Sequence, residues 1–135
     1  MSRKEVLLNM MKENSYKQYL GIEMLEMEEG YGRARMPYKK EIANPYGMFH
    51  GGCLYSMADI VSGTIASMKG YYVTTVNGSL DFLLPAIDTE YVYCEATELR
   101  QGRHLAVYEV KLTDDVGKLL DSGNFTFFVT EQKVE

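Results

Sequence analysis

One apolar stretch with a three-to-four-residue repeat, from His50 to about Lys69, most limits how this chain can fold. Leu54, Met57, Ala58, Val61, Ile65 and Met68 recur at helical steps. At ~1.5 Å per residue the predicted helix is about 30 Å long. Gly52, Ala58, Gly63 and Ala66 keep it slim, and Gly70 ends it. A helix this apolar and slender must be enclosed by other structure. The flanking sequence repeats with period two instead. Ile22 to Met36 predicts two strands turning at Gly30-Tyr31-Gly32, and four more are predicted over Tyr71 to Leu84, Thr89 to Leu99, Leu105 to Thr113 and Leu119 to Thr130. Leu99-Arg100-Gln101-Gly102-Arg103 and Asp114-Asp115-Val116-Gly117 read as hairpin turns with Gly at the permissive position. Ser2-Arg3-Lys4-Glu5 reads as a capping box opening a short helix to about Tyr19. The expectation is an α+β fold, one domain over residues 1–135, with an antiparallel sheet carrying one long helix on a face.

The balance of residues narrows the function classes. Lys plus Arg is 14 and Asp plus Glu is 19, a net charge of −5. Phosphate neutralisation needs excess cation, so nucleic acid is not an expected partner. Cys53 and Cys94 do not make a disulfide framework, and two histidines give little basis for a metal centre. No segment approaches the ~18 apolar residues of a membrane span, and Met1 to Asn14 has no secretory apolar run. A soluble cytoplasmic protein without metal or membrane partner is expected.

The stretch Asn44-Pro45-Tyr46-Gly47-Met48-Phe49-His50-Gly51-Gly52 carries the chemistry. Two glycines open the central helix although each costs about 1 kcal/mol against Ala there. The first turn of a helix offers unpaired N–H donors and the positive end of the dipole, which can hold an oxyanion or polarise a carbonyl. Read more plainly, it is a turn into a helix with glycines for packing. Further along, Asp59 sits among Met57, Ala58, Ile60 and Val61. It is either a functional carboxylate or part of a solvated stripe with Ser56, Ser62 and Gly63. Asp59 follows His50 by nine positions, so the two lie roughly on opposite sides of the helix, about 13 Å apart along its axis. If both act on one small atom, the site joins His50-Gly51 of one chain with Asp59 of another, as a symmetric dimer allows.

The Asn44 to Gly52 loop, Asp59, and a strand ending in Leu83-Leu84-Pro85-Ala86 together resemble the hotdog-fold acyl-CoA thioesterases. The likeness is to the phenylacetyl-CoA thioesterase branch with its Asn-Pro-x-Gly-x-x-His-Gly-Gly motif, and it covers roughly Tyr19 to Thr130. The resemblance implies a sheet wrapped around the long helix and a homodimer joined through its sheets, extending to a dimer of dimers, with composite sites at the interface. It implies hydrolysis of an acyl-CoA thioester, CoA being part of the substrate and no separate cofactor being needed. The Gly51 amide matches the oxyanion donor and Asp59 the catalytic carboxylate, acting as general base or as nucleophile. Asn44 matches a loop asparagine that places carboxylate or water, and Thr75 a hydroxyl that holds the hydrolytic water. His50 reads as a hydrogen-bonder within the loop. Gly52, Arg100 and Arg103 are the expected substrate contacts, the arginines suiting CoA phosphates.

Rival readings have less behind them. Cys53, three residues after His50, could be a nucleophile but reads as core. A metal at His50, Cys53 and Asp59 would have its ligands spread around the helix. The Asp-His pair of the related hydratases is absent, and the early segment offers Glu23, Glu26, Glu28 and Glu29 but no Asp. An acyl-CoA-binding protein without turnover is the alternative function.

Overall fold

A computed structural model describes residues 1–135. Two short helices, α1 (Arg3–Glu13) and α2 (Ser15–Leu20), precede strands β1 (Glu23–Glu28) and β2 (Tyr31–Pro37). The central helix α3 (Gly51–Ala66) follows, and then β3 (Tyr71–Phe82), β4 (Tyr91–Gln101), β5 (Leu105–Thr113) and β6 (Leu119–Lys133). The six strands form one antiparallel sheet in the order β1-β2-β4-β5-β6-β3. α3 crosses the sheet between β2 at one side and β3 at the far edge, and it packs against all six strands.

The alternation in the sequence becomes the core. Val92, Cys94 and Ala96 of β4 and Ala106, Tyr108, Val110 and Leu112 of β5 are fully buried, facing Met57, Val61 and Ile65 of α3. Each large apolar side chain buried this way contributes roughly 1.5–3 kcal/mol. Two glycines let backbones meet. A Cβ at Gly32 would overlap the Ile65 side chain, so its absence lets α3 lie close on β2. A Cβ at Gly123 would overlap the Ser79 carbonyl, so its absence lets β6 pair tightly with edge strand β3.

Four local expectations are corrected. The N-terminal helix does not run unbroken to Tyr19. Asn14 closes α1 and then caps α2, its side-chain oxygen accepting from Lys17 N at 3.1 Å. The capping box at Ser2 and Glu5 is present. α3 ends at Ala66 and continues to Lys69 only as a 3₁₀ turn, stopped by Gly70 at φ 118°. Its regular part is therefore about 24 Å long. Arg100 and Gln101 belong to β4 rather than to a turn, and Gly102 does not use a positive φ; its N–H closes the connection on Leu105 O at 2.7 Å. Gly117 does take the left-handed conformation, at φ 84°.

Candidate active site

The loop before α3 is held from within. Asn44 Oδ1 accepts from the N–H groups of Tyr46 (2.9 Å) and Met48 (3.1 Å), and Gly47 makes the turn at φ 79°. The Phe49 N–H donates to Ala86 O and the His50 N–H to Ile42 O, both at 3.0 Å. Asn44 is thus a loop clamp within its own chain. His50 caps α3: its Nδ1 accepts from Gly52 N at 2.8 Å, which leaves the ring proton on Nε2. The Gly52 N–H, an expected substrate contact, is consumed by this cap. The Gly51 N–H has no helical carbonyl four residues back. None of the hydrogen bonds outside the regular elements uses it. It is a free donor at the positive end of a sixteen-residue helix.

Gly51 and Asn44 line a cavity of about 310 Å³, walled by Leu54, Phe82, Leu83 and Pro85. Asp59 and Thr75 line another, of about 250 Å³, on the other side of α3. There the Thr75 hydroxyl donates to Asp59 Oδ1 at 2.6 Å, fixing the carboxylate against β3. Asp59 is half-buried and Thr75 exposed, so the pair is reachable from the free side of the edge strand. The stripe drawn through Ser56, Asp59, Ser62 and Gly63 is not a solvated face, because Ser62 is fully buried and donates to Ala58 O at 2.6 Å. Leu7 and Met10 of α1 and Lys17 of α2 complete the Asp59 cavity. Burial lowers the Lys17 pKa, and the nearby Asp59 charge opposes the drop. Nothing in the local sequence marks Lys17; its place depends on how α2 docks.

Arg100 and Arg103 are both exposed and lie apart from either cavity. Arg103 lines a separate cavity of about 680 Å³ with Lys69, His104, Glu131 and Lys133. Cys53 is buried, and its thiol contacts His50 O at 3.0 Å. Burial pushes it up to about 11, so at neutral pH it is a thiol and not a nucleophile. His50, Cys53 and Asp59 do not converge as metal ligands.

One acid escaped the sequence reading. Asp121 on β6 is fully buried, and neither carboxyl oxygen has a hydrogen-bond partner. Burial alone raises its pKa to about 7. It lines the same cavity as Gly51. The signal was available: counting back by twos from Phe127 and Phe125 puts position 121 on the buried face.

Residues 46–120 match the family model described as the thioesterase superfamily. Human acyl-coenzyme A thioesterase 13 is 29% identical over 129 residues, 93% of this chain and 92% of the relative. The solved structure of the Escherichia coli PaaI protein from the phenylacetic acid degradation operon superposes with a TM-score of 0.92 at 20% identity, covering 99% of this chain and 97% of the other. A hypothetical thioesterase from Streptococcus pneumoniae, solved with coenzyme A, superposes with a TM-score of 0.78 at 27% identity over 82% of this chain and 87% of the other. The fold is the one shared by these structures: six antiparallel strands with a central helix.

Proposed function

Because the chain belongs to the thioesterase superfamily, we propose that it hydrolyses acyl-CoA thioesters to free acid and CoA at sites shared between two copies. The observation that carries this reading is the split geometry. The free Gly51 N–H and the Thr75-held Asp59 carboxylate open into different cavities on opposite sides of α3. A second copy paired along the free edge of β3 would bring one chain's Asp59 to the other's Gly51. Val76, Phe82 and Leu83, exposed at 59%, 54% and 53% on or beside that edge, are the apolar surface such pairing would cover. The names of the relatives supply the substrate class.

In such a site the thioester carbonyl takes the Gly51 N–H, which stabilises the oxyanion as water or carboxylate adds. Losing one such donor costs about 2.7–4 kcal/mol of barrier. Asp59 either draws the proton from water or attacks the carbonyl itself; Thr75 orients it in both cases. His50 holds the first turn so that Gly51, and not Gly52, is the open donor. Asn44 holds the loop. Arg100 and Arg103 take CoA phosphates at the surface. Water and the thioester supply every atom, so the reaction needs no cofactor. The unpaired thiols Cys53 and Cys94 suit a reducing compartment such as the cytoplasm.

The test is CoA release from a panel of acyl-CoAs, short aliphatic to aryl, by wild type and Asp59→Asn. Wild type turns over at least one ester, and Asp59→Asn loses about 10² or more in kcat while still binding it. Binding without turnover by wild type would instead make the protein an acyl-CoA carrier.

A further inference from the structure

The cavity that holds Asp59 also holds a cation without a partner. Lys17 lines it from α2 and is half-buried, while its neighbours Tyr16 and Gln18 are exposed. A lysine drawn out of water is normally paired. Lys17 takes part in none of the chain's four ion pairs. Of its donors only the backbone N–H is bonded, to Asn14. The Asp59 charge acts on the ammonium without an ion pair forming, so the charged end, and not the stem alone, lies toward the cavity. Its place is fixed from two sides. Asn14 caps α2, and the Tyr16 hydroxyl bonds the Ser56 hydroxyl at 2.6 Å, pinning α2 to α3 three residues before Asp59. The other hydroxyls around the cavity are mostly spent. Thr64 donates to Ile60 O at 2.7 Å, Ser67 to Gly63 O at 3.0 Å and Thr75 to Asp59. Leu7, Met10, Ile60 and Phe127 supply apolar wall. The cavity thus joins one carboxylate, held by Thr75, to one ammonium that nothing holds.

We infer that Lys17 selects the acyl group, favouring short acyl chains that end in a carboxylate. The inference rests on the thioesterase reading, in which the carbonyl carbon lies against Asp59, so that the acyl arm begins there. The CoA arm, large and carrying phosphates, does not fit beside it. A cavity of about 250 Å³ is small for a ligand site and takes only a few carbons. The proposed pairing runs along the β3 edge, whereas the walls that lead to Lys17 come from α1, α2 and α3 of the same chain. A tail ending in a carboxylate would give the ammonium its missing acceptor, in a charge-assisted hydrogen bond. A tail ending in an apolar group would leave the ammonium unpaired among apolar side chains. Sites built to bond a polar group discriminate strongly against the analogue lacking it.

The experiment compares mono-CoA esters of dicarboxylic acids of about three to six carbons with neutral isosteres, in which isopropyl replaces the far carboxylate. Enzyme-free rates are subtracted, because a carboxylate can attack its own thioester. Both members of each pair are hydrolysed by the same preparation, so the ratio of their kcat/KM values cancels any misfolded fraction. Wild type should favour the carboxylate ester about 10-fold or more at one chain length, the one that spans from Asp59 to Lys17. Lys17→Met, of similar length and no charge, should bring that ratio to one or below by slowing the carboxylate ester. Lys17→Arg keeps the cation and should retain part of the preference. A wild-type ratio near one at every length overturns the inference and leaves the thioesterase reading standing. So does an equal slowing of both esters in Lys17→Met, which would assign Lys17 to the support of Asp59 or of the fold. No turnover of any ester by wild type overturns both.

Discussion

At Asp59 the carboxylate accepts from the Thr75 hydroxyl at 2.6 Å through Oδ1, and on the proposed reading its other oxygen is left for chemistry. Asp121 is its opposite, a carboxyl with no partner in an apolar site. That difference has a consequence for stability. In the unfolded chain Asp121 titrates near the ordinary aspartate value of 3.8, whereas burial in the fold holds its proton to about 7. Between those values the native state binds more protons than the unfolded state, so stability falls as pH rises from about 4 to 7 and is level above. The full shift corresponds to about 4 kcal/mol at most. Asp115 works the other way: its carboxylate accepts from Glu90 N and Tyr91 N, which lowers its pKa, so its contribution is lost on acidification. The total profile therefore mixes both signs, and the Asp121 part is read as a difference. Denaturant titrations of wild type and Asp121→Asn should diverge by less at pH 4.5 than at pH 7, with the variant the more stable at neutral pH. Parallel profiles would show that Asp121 is not held as a buried acid.

The elements were largely legible because each has one strong period: α3 in its apolar steps, β4 and β5 in an alternation that the core reproduces residue by residue. The breaks were less legible. Asn14 ends one helix and starts the next by side-chain capping, a local choice that a run of helix formers conceals. Lys17 and Asp121 enter the cavities through the docking of α2 and the register of β6, and neither is a property of the segment around the residue. Register also makes Gly123 informative. Gly123→Ala would press a methyl on the Ser79 carbonyl and push β3 from β6. The expected cost is about 1–3 kcal/mol by chemical denaturation, with a fall in activity because β3 carries Thr75. At the other end of the sheet, Arg100 follows a β-bulge in β4, and Arg103 sits in the short connection to β5. Replacing both by Ala should raise KM for CoA esters more than it lowers kcat, since contacts far from the carbonyl bind ground and transition states alike. The effect should shrink at high salt and vanish on a truncated thioester lacking the nucleotide. Equal loss on the truncated ester would assign the arginines to the sheet instead.

For the whole molecule the governing fact is that one helix separates the free Gly51 donor from the Asp59 carboxylate. A single chain carries a donor in one cavity and a carboxylate in another, with α3 between them. On the proposed reading a monomer holds no complete site, whereas a symmetric pair would hold two. The nine-residue step from His50 to Asp59 already separates the two groups around the helix; that β3 offers the free edge for the proposed pairing is a matter of topology that the sequence does not carry. Complementation tests the idea directly. Asp59→Ala removes the carboxylate, and Gly51→Pro removes the N–H at a helix position that tolerates proline. Each parent dimer should be folded and inactive. In a mixed dimer one site inherits both defects and the other inherits neither, so subunit exchange should restore activity. At equal mixing about half the dimers are hybrids with one intact site of two, so recovery should approach about a quarter of the wild-type rate. Recovery should follow the rate of subunit exchange measured independently with labelled chains. Folded parents that exchange fully and stay inactive would place Gly51 and Asp59 in separate roles and end the shared-site reading.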